Sequence, residues 1–364
     1  MNSQIFFLIV LFLLICLAFA LTPYLTRKTE NFGVSIPESL YDRKDFKGMR
    51  KKYTTSLLII GILFSAGLFL LASILKVNTL IIIYTIIVFV YIILGFLIYL
   101  PFHKQMKMLK KAENWQAERT QSVVVDMKFR QEKLIYSQWW FLTSVIIIIA
   151  TFVITFLFYD RIPDQIPMHT DFSGKITYED KSIANLLFLP GTQVLLLIMF
   201  MFINFIIKNS KQQVSVENPQ KSKQQNLIFR RRWSAFLICT AALTQILLMF
   251  LQFTFIFPNL TAYENLVIYG FTSIIIVGTL ILAFTTGQGG SRVKLGEQSD
   301  TDVIDRDDDR YWKLGQFYVN KNDPAIFIEK RFGVGWTNNW AHPVSWVLVG
   351  VLIMIIVGSI IFFK

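Results

Sequence analysis

The sequence is poor in charge and in the residue types that carry covalent chemistry. Only 16% of its 364 residues are charged, whereas 54% are hydrophobic, a composition too apolar for an ordinary soluble domain. It contains two cysteines, Cys16 and Cys239, and neither has a Cys or His neighbour at metal-ligand spacing. Because both cysteines fall inside apolar runs, we expect them to be small packing residues rather than partners in a disulfide.

Catalytic signatures are also missing. The sequence has no His-Glu-x-x-His and no Gly-x-Ser-x-Gly motif, and the glycine-rich tract at 287–291 lacks the Lys-Ser/Thr of a phosphate-binding loop. The apolar runs contain no charged residue or histidine in their cores, where ion-coupled transporters usually place them. We therefore expect a protein that is not an enzyme and has no catalytic residue, cofactor or metal. A transporter or channel component is kept as an alternative.

Long apolar runs dominate the chain instead. Each is about 20 residues long, enough to cross a hydrocarbon core of about 30 Å as a helix. The runs lie at 5–25, 55–75, 79–100, 140–159, 184–207, 234–256, 265–286 and 344–363. The predicted fold class is therefore an all-α polytopic membrane protein with about eight transmembrane helices.

The positive charge is distributed unevenly along the chain. The segments 26–54, 101–137, 208–233 and 286–343 hold 31 of the 36 lysines and arginines. Basic residues accumulate in the cytoplasmic loops of membrane proteins, so these four segments are predicted to be cytoplasmic, with both termini outside. The same distribution accounts for the net charge of +12, so the lipid bilayer is the expected partner and nucleic acid is not.

The predicted spans and loops divide the chain into five regions. These are an N-terminal three-helix region with basic loops at 1–137, a helix pair with a polar outer loop at 138–207, a linker with two helices at 208–286, a cytoplasmic aromatic-glycine module at 287–343, and the last helix at 344–364. Two aromatic runs on either side of a turn at 321–324 predict a β-hairpin in the aromatic-glycine module.

The predicted cytoplasmic segments have features of their own. Pro37 to Lys52 is typical of an amphipathic helix, and 107–135 of one or two helices lying on the membrane surface. A flexible linker is predicted at 208–225 because it is rich in Gln, Ser and Lys. Arg230–Arg232 is interpreted as a charge signal that orients the following span.

One outer stretch, Tyr159 to Lys181, is short, polar and rich in distinctive residues. Pro163 and Pro167 prevent a regular helix between them and favour an extended or turn-rich backbone. His169 is one of three histidines in the chain, and the other two are predicted to be cytoplasmic. For His169 we keep three interpretations open: ligand recognition, a role in the architecture of the loop, and catalysis or metal binding.

The string Ile162-Pro-Asp-Gln-Ile-Pro-Met-His169, followed by Gly174 and Lys181, resembles the motif of a bacterial membrane domain of unknown function. Its best-known members are SdpI-type immunity proteins, which protect a producing cell from its own membrane-active toxin. The resemblance implies a multi-pass protein of the bacterial cytoplasmic membrane that acts in immunity or in envelope-stress signalling. The chain departs from the motif at Thr170-Asp171, where the family often has an aromatic-Asn pair.

The resemblance also implies where a ligand would bind. The candidate ligand-binding residues that match the motif are Asp160, Pro163, Pro167, His169, Gly174 and Lys181. Asp164 and Asp171 are added because they are carboxylates that neighbour His169. The implied partner is a membrane-active peptide at the outer face. A sensor that sequesters a cytoplasmic regulator through the basic loops is kept as a further alternative. The run from Arg331 to Asn339 resembles a small aromatic-glycine module found in membrane proteins with the same outer loop.

Overall fold

The computed structural model of the protein describes residues 3–115, 120–122, 132–170, 176–213, 218–295, 303–305 and 308–362. Within these residues the chain is mostly helical. The α-helices are α1 (Ser3–Ala20), α2 (Thr22–Leu25), α3 (Lys44–Leu71), α4 (Val77–Glu113), α5 (Leu142–Leu157), α6 (Ile183–Asn209), α7 (Pro219–Ile256), α8 (Glu264–Thr286) and α9 (Pro343–Phe362).

Six helical stretches in this part of the chain are long and apolar enough to cross a membrane. They are Lys44–Leu71, Val77–Glu113, Gln138–Leu157, Ile183–Asn209, Pro219–Ile256 and Pro258–Gly290. Two shorter apolar helices, Gln4–Ala20 and Pro343–Met354, coincide with the first and last predicted spans. The fold is therefore that of a helical, multi-pass membrane protein, and the count of eight spans stays a prediction.

Three helices extend beyond the apolar runs into segments predicted to be loops. The helix predicted from Pro37 to Lys52 begins later, at Lys44, and continues into the span as α3. α4 continues to Glu113, and α7 begins at Pro219 inside the predicted flexible linker. Lys, Arg, Gln and Leu favour helix, and each residue added to an existing helix gains a hydrogen bond, so the helices continue past the membrane boundary. In the segment 107–135, which was predicted to form surface helices, residues 107–113 belong to α4 and residues 120–122 form a strand, whereas 116–119 and 123–131 lie outside the described residues.

The helices α1, α3 and α4 form one bundle around a buried tyrosine. The Tyr91 hydroxyl of α4 donates to the carbonyl oxygens of Leu57 on α3 at 3.2 Å and of Cys16 on α1 at 3.3 Å. Cys16 is buried, as its predicted packing role requires, but Cys239 on α7 is exposed, so that part of the prediction was wrong. In a membrane the lipid tails are as apolar as the bundle interior, so an apolar run does not reveal which of its side chains face inward.

The helices α5, α6 and α7 form a second bundle, with α8 against α7. Its interior contains reciprocal hydrogen bonds: Gln193 Nε2 donates to Gln245 O at 3.0 Å, and Gln245 Nε2 donates to Gln193 O at 3.3 Å. Gln193 also reaches Thr151 Oγ1 on α5 at 3.3 Å. Such bonds between membrane helices are worth about 0.6–2 kcal/mol each. These neutral polar groups therefore join neighbouring helices.

Short strands occur in the connections between the helices. The antiparallel pairs are β1 (Glu30–Asn31) with β2 (Val34–Ser35), β4 (Gln165–Thr170) with β5 (Ile176–Asp180), β7 (Trp312–Lys313) with β8 (Phe317–Tyr318) and β9 (Phe327–Glu329) with β10 (Trp336–Asn338). β3 (Thr120–Ser122) pairs in parallel with β6 (Val303–Asp305).

The aromatic-glycine module therefore contains two hairpins where the sequence predicted one across 321–324. The chain reverses earlier, at Leu314 and Gly315, whose φ angles are 51° and 70°. Positive φ is accessible to glycine at no steric cost, so Gly315 permits a tight turn between β7 and β8. The first aromatic run therefore folds back so that its two halves, β7 and β8, pair with each other. The second run, β9, pairs with β10 around Trp336.

Candidate functional site

The polar stretch from Tyr159 to Lys181 contains the β4–β5 pair, which lies between α5 and α6 in the chain. Gln165 lies opposite Asp180 and Pro167 opposite Tyr178, and the register shifts by one residue before His169, which lies opposite Thr177. The prediction of an extended backbone around the two prolines is confirmed. Because proline lacks an N–H, it is tolerated only at strand edges and irregularities, and Pro167 lies beside this β-bulge.

The inner side of the hairpin is anchored to the second bundle. Ile162 and Ile166 are 3% and 0% exposed and pack against Leu186 of α6 and Phe255 and Ile256 at the end of α7. Full burial of an isoleucine side chain contributes about 1.5–3 kcal/mol, so two such anchors hold the hairpin firmly on α6 and α7.

Lys181 holds the base of the hairpin together. Its Nζ donates to Ile162 O at 3.1 Å and lies 4.0 Å from the centre of the Tyr159 ring, and its backbone N–H donates to Asp164 O at 2.6 Å. Lys181 therefore has an architectural role here, where the resemblance implied a ligand contact.

The other residues implied as a ligand site divide into two groups. Asp160, Pro163 and Asp164 are exposed beside one another, and Pro167 is half-buried. His169 is placed by its backbone pairing with Thr177, whereas the remaining two, Asp171 and Gly174, lie outside the described residues. In the described parts of the chain, no group of three or more His, Cys, Asp and Glu residues could hold a metal ion.

β5 contributes residues that the sequence did not single out. All five of its residues are exposed. Together with the segment that precedes β4, the strand presents four exposed carboxylates: Asp160, Asp164, Glu179 and Asp180. The alternation of Ile176, Thr177, Tyr178 and Glu179 was a readable strand signal, but only the fold shows that neither face of this strand is covered.

The opposite end of the molecule contains buried ion pairs centred on Glu329 of β9. Glu329 and Arg230 of α7 are both fully buried, with Arg230 Nη2 at 3.3 Å from Glu329 Oε1. Arg27, which follows α2, forms a second ion pair with Glu329, and Asn226 Nδ2 donates to Glu329 Oε1 at 2.7 Å. A carboxylate can be buried at this depth because two guanidinium groups and an amide replace its water shell.

A second group of ion pairs surrounds Arg331, two residues further along the chain. Arg331 is 2% exposed and pairs with Asp308 and Asp309, and its Nε lies 3.8 Å from Glu30 Oε1. Asp309 Oδ2 also pairs with Lys110 Nζ of α4 at 2.6 Å. We call the ion pairs of Glu329 and Arg331 together the ionic junction.

The ionic junction joins all four segments predicted to be cytoplasmic. Arg27, Lys110 and Arg230 come from the first three, and Glu329 comes from the fourth. The four basic segments therefore gather at one end of the molecule, away from the hairpin. Which side of the membrane this end occupies stays a prediction. The guanidinium of Arg230 is fully buried against Glu329, and the orienting role of Arg230–Arg232 stays a prediction.

Comparison with known proteins adds two partial family matches. A domain of unknown function (DUF1648) matches residues 146–194, which hold most of α5, the hairpin and the start of α6. A family of unknown function (DUF5808) matches residues 321–346, which hold β9, β10 and the start of α9. Searches of curated proteins and of solved structures found no match. The chain thus resembles uncharacterised families at the hairpin and at the ionic junction.

Proposed function

We propose that this chain is an SdpI-like protein of the bacterial cytoplasmic membrane that gives immunity or resistance to a membrane-active peptide. Peptide binding takes place at the β4–β5 hairpin, on the outer side of the membrane. The observation that carries the proposal is a hairpin that, with the segment before it, exposes four carboxylates and is anchored by Ile162 and Ile166. A rigid, acidic surface next to the bilayer favours capture of a cationic peptide before it inserts. The role is one of binding and needs no catalytic group.

α7 connects this surface to the ionic junction. Phe255 and Ile256 lie under the hairpin, and Asn226 and Arg230 contact Glu329 at the other end of the same helix. At 1.5 Å per residue, the distance from Arg230 to Phe255 is about 38 Å along the helix. A displacement of the hairpin would therefore move a helix whose far end is held by ion pairs. This connection supports an envelope-stress sensor as the second candidate, in which the basic loops sequester a cytoplasmic regulator.

A transporter or channel component is the third candidate. The interior of α5, α6 and α7 contains neutral polar groups, such as Gln193 and Gln245, in mutual hydrogen bonds. Substrate flux into vesicles that contain the purified protein would favour this candidate over the other two.

A protection assay tests the proposed function. Bacterial cells that make the protein are challenged with a dose series of a membrane-active cationic peptide, and growth is measured. His169→Ala should shift the protective dose by about fivefold or more, because one lost hydrogen bond is worth about 1 kcal/mol or more. Pro167→Ala should also weaken protection, because proline fixes the backbone angle of the strand beside the register shift. Unchanged protection in both variants at parental protein levels would contradict recognition by this loop.

Asn204→Leu is the matched control for loss of structure. Asn204 is fully buried, and its Oδ1 accepts from Ser234 Oγ at 2.7 Å, away from the hairpin. This variant should lower the amount of protein in the membrane fraction, whereas the hairpin variants should leave that amount unchanged. The two readouts separate a binding defect from a folding defect.

Orientation is tested by thiol labelling, after both native cysteines are replaced by serine. Asp164→Cys on the hairpin should react with an impermeant thiol reagent in intact cells, and Lys52→Cys at the opposite end only after permeabilisation. Both positions are exposed, so accessibility within the fold does not confound the comparison. The reverse pattern would place the hairpin in the cytoplasm and end the proposal.

A further inference from the structure

The β4–β5 sheet has two edges, and backbone geometry distinguishes them. In an antiparallel pair, successive residues alternately direct their N–H and C=O groups toward the partner strand and away from it. The bond from Lys181 N to Asp164 O, at 2.6 Å, fixes this alternation along β5. The backbone groups that point away from β4 are those of Ile176, Tyr178 and Asp180.

The outer edge of β4 is closed to a further strand. Pro167 lies opposite Tyr178, at a position where the nitrogen points outward and carries no proton. The register shift before His169 distorts the same edge. Proline and β-bulges are features that prevent pairing at a sheet edge.

The outer edge of β5 is open. The side chains of Ile176 and Tyr178 are 41% and 54% exposed. Among the described residues, Asp180 O accepts from Asn185 Nδ2 at 3.0 Å, and no group outside the hairpin bonds the outward N–H or C=O of Ile176 or Tyr178. Unpaired backbone groups on an exposed strand are a template for another strand.

The charges around this edge specify the sign of a partner. Glu179 and Asp180 lie on β5 itself, and both are exposed. Two nearby cations are held against aromatic rings: Arg161 lies 4.9 Å from the centre of the Phe158 ring, and Lys181 lies over Tyr159. Both cations lie outside β5, so the charges on the strand itself are the two carboxylates, which complement a positively charged chain.

We infer that the outer edge of β5 binds an extended, cationic peptide segment, which joins the hairpin as a third strand. Backbone hydrogen bonds to Ile176 and Tyr178 give affinity that does not depend on peptide sequence. The side chains of these two residues point to one face of the sheet, where they pack against apolar residues at every second position of the peptide. Glu179 and Asp180 select lysine and arginine. The inference rests on the proposed function and names the binding mode of its peptide.

Binding is measured with a synthetic octapeptide of alternating lysine and valine, labelled with a fluorophore. The full-length protein is held in nanodiscs of zwitterionic lipid, and empty nanodiscs give the background. Two further peptides carry N-methyl groups on alternate residues, one on the odd-numbered and one on the even-numbered residues. Each of them lacks the backbone N–H donors along one of its two edges. One of these two peptides should bind about tenfold more weakly or worse, because each lost hydrogen bond is worth about 1 kcal/mol. Equal affinity of all three peptides would overturn the inference.

A pair of protein variants tests the same edge. Tyr178→Pro removes an outward N–H without removing a bond to β4, and Tyr178→Ala removes the same side chain but keeps the N–H. The proline variant should bind the lysine–valine peptide about fivefold more weakly than the alanine variant. Equal binding by the two would contradict strand addition. Glu179→Gln with Asp180→Asn should reduce binding further, and an alternating glutamate–valine peptide should bind the parent more weakly than the lysine–valine peptide.

The peptide-binding experiment and the protection assay can give opposite results, and each result bears on a different proposal. Binding at β5 without protection of cells would remove the immunity function and leave the docking edge in place. Protection of cells with equal binding of the methylated peptides would preserve the function and remove the edge.

Discussion

Glu329 is the residue whose removal should most affect the joining of the two bundles. Its side chain is 0% exposed, as is that of Arg230, so solvent does not screen this ion pair. Glu329→Gln keeps the shape of the side chain but leaves the charges of Arg27 and Arg230 without their shared carboxylate. Breaking a buried ion pair by removing one partner costs about 3–5 kcal/mol. We therefore expect a loss of about 3 kcal/mol, since glutamine still accepts one hydrogen bond.

The assay is thermal unfolding of the purified protein in detergent, followed by tryptophan fluorescence. A loss of this size should lower the melting temperature by about 5 °C or more. The matched control is Asp42→Asn, which breaks an ion pair with Lys47 in which the side chains are 72% and 57% exposed. Pairs this exposed contribute about 0–1 kcal/mol, so the control should shift the melting temperature little.

A double variant tests whether Arg230 and Glu329 stabilise the fold through their direct contact. Arg230→Gln with Glu329→Gln should destabilise by less than the sum of the two single changes, because groups in direct contact couple. If Glu329→Gln lowers the melting temperature no more than Asp42→Asn does, the ionic junction does not hold the two bundles together.

Two further predictions concern the aromatic-glycine module. Gly315→Ala should destabilise the fold by about 1 kcal/mol or more, because the φ angle of Gly315 is positive and the added methyl group would lie 2.5 Å from the Tyr99 hydroxyl. The control is Gly67→Ala on α3, where the added methyl group meets no other atom, and it should leave the melting temperature unchanged or raise it. Burial raises the pKa of Asp323, but hydrogen bonds, first from Lys211 Nζ at 2.5 Å, outweigh it and leave the pKa below its usual value. The ion pair should therefore stabilise the fold fully above the unfolded-state pKa of Asp, about 4, and should lose this contribution as the pH falls through the lower pKa of folded Asp323. Asp323→Asn should make the melting temperature depend less on acid pH.

The pattern of apolar runs and basic segments determined the outline of this protein. A helix needs about 20 apolar residues to cross a membrane, and this requirement is local, so the six long helices were found from composition alone. The gathering of the four basic segments at one end also followed from the sequence, because the positive-inside rule depends on which loops hold Lys and Arg. The two prolines made the outer stretch extended for an equally local reason, the fixed backbone angle of proline.

The tertiary structure alone decided which charged residues are buried in the ionic junction and which edge of the β4–β5 sheet is free. In sequence, Glu329 is one charge among several near Lys330 and Arg331, and its partners Arg230 and Asn226 lie 99 and 103 residues away. No local pattern encodes such a contact, since it forms only when helices from both bundles meet the module. The open edge of β5 is likewise a property of register: the pairing of Pro167 with Tyr178 closes one edge and leaves the other available. Register depends on where two strands meet, so composition and spacing do not determine it.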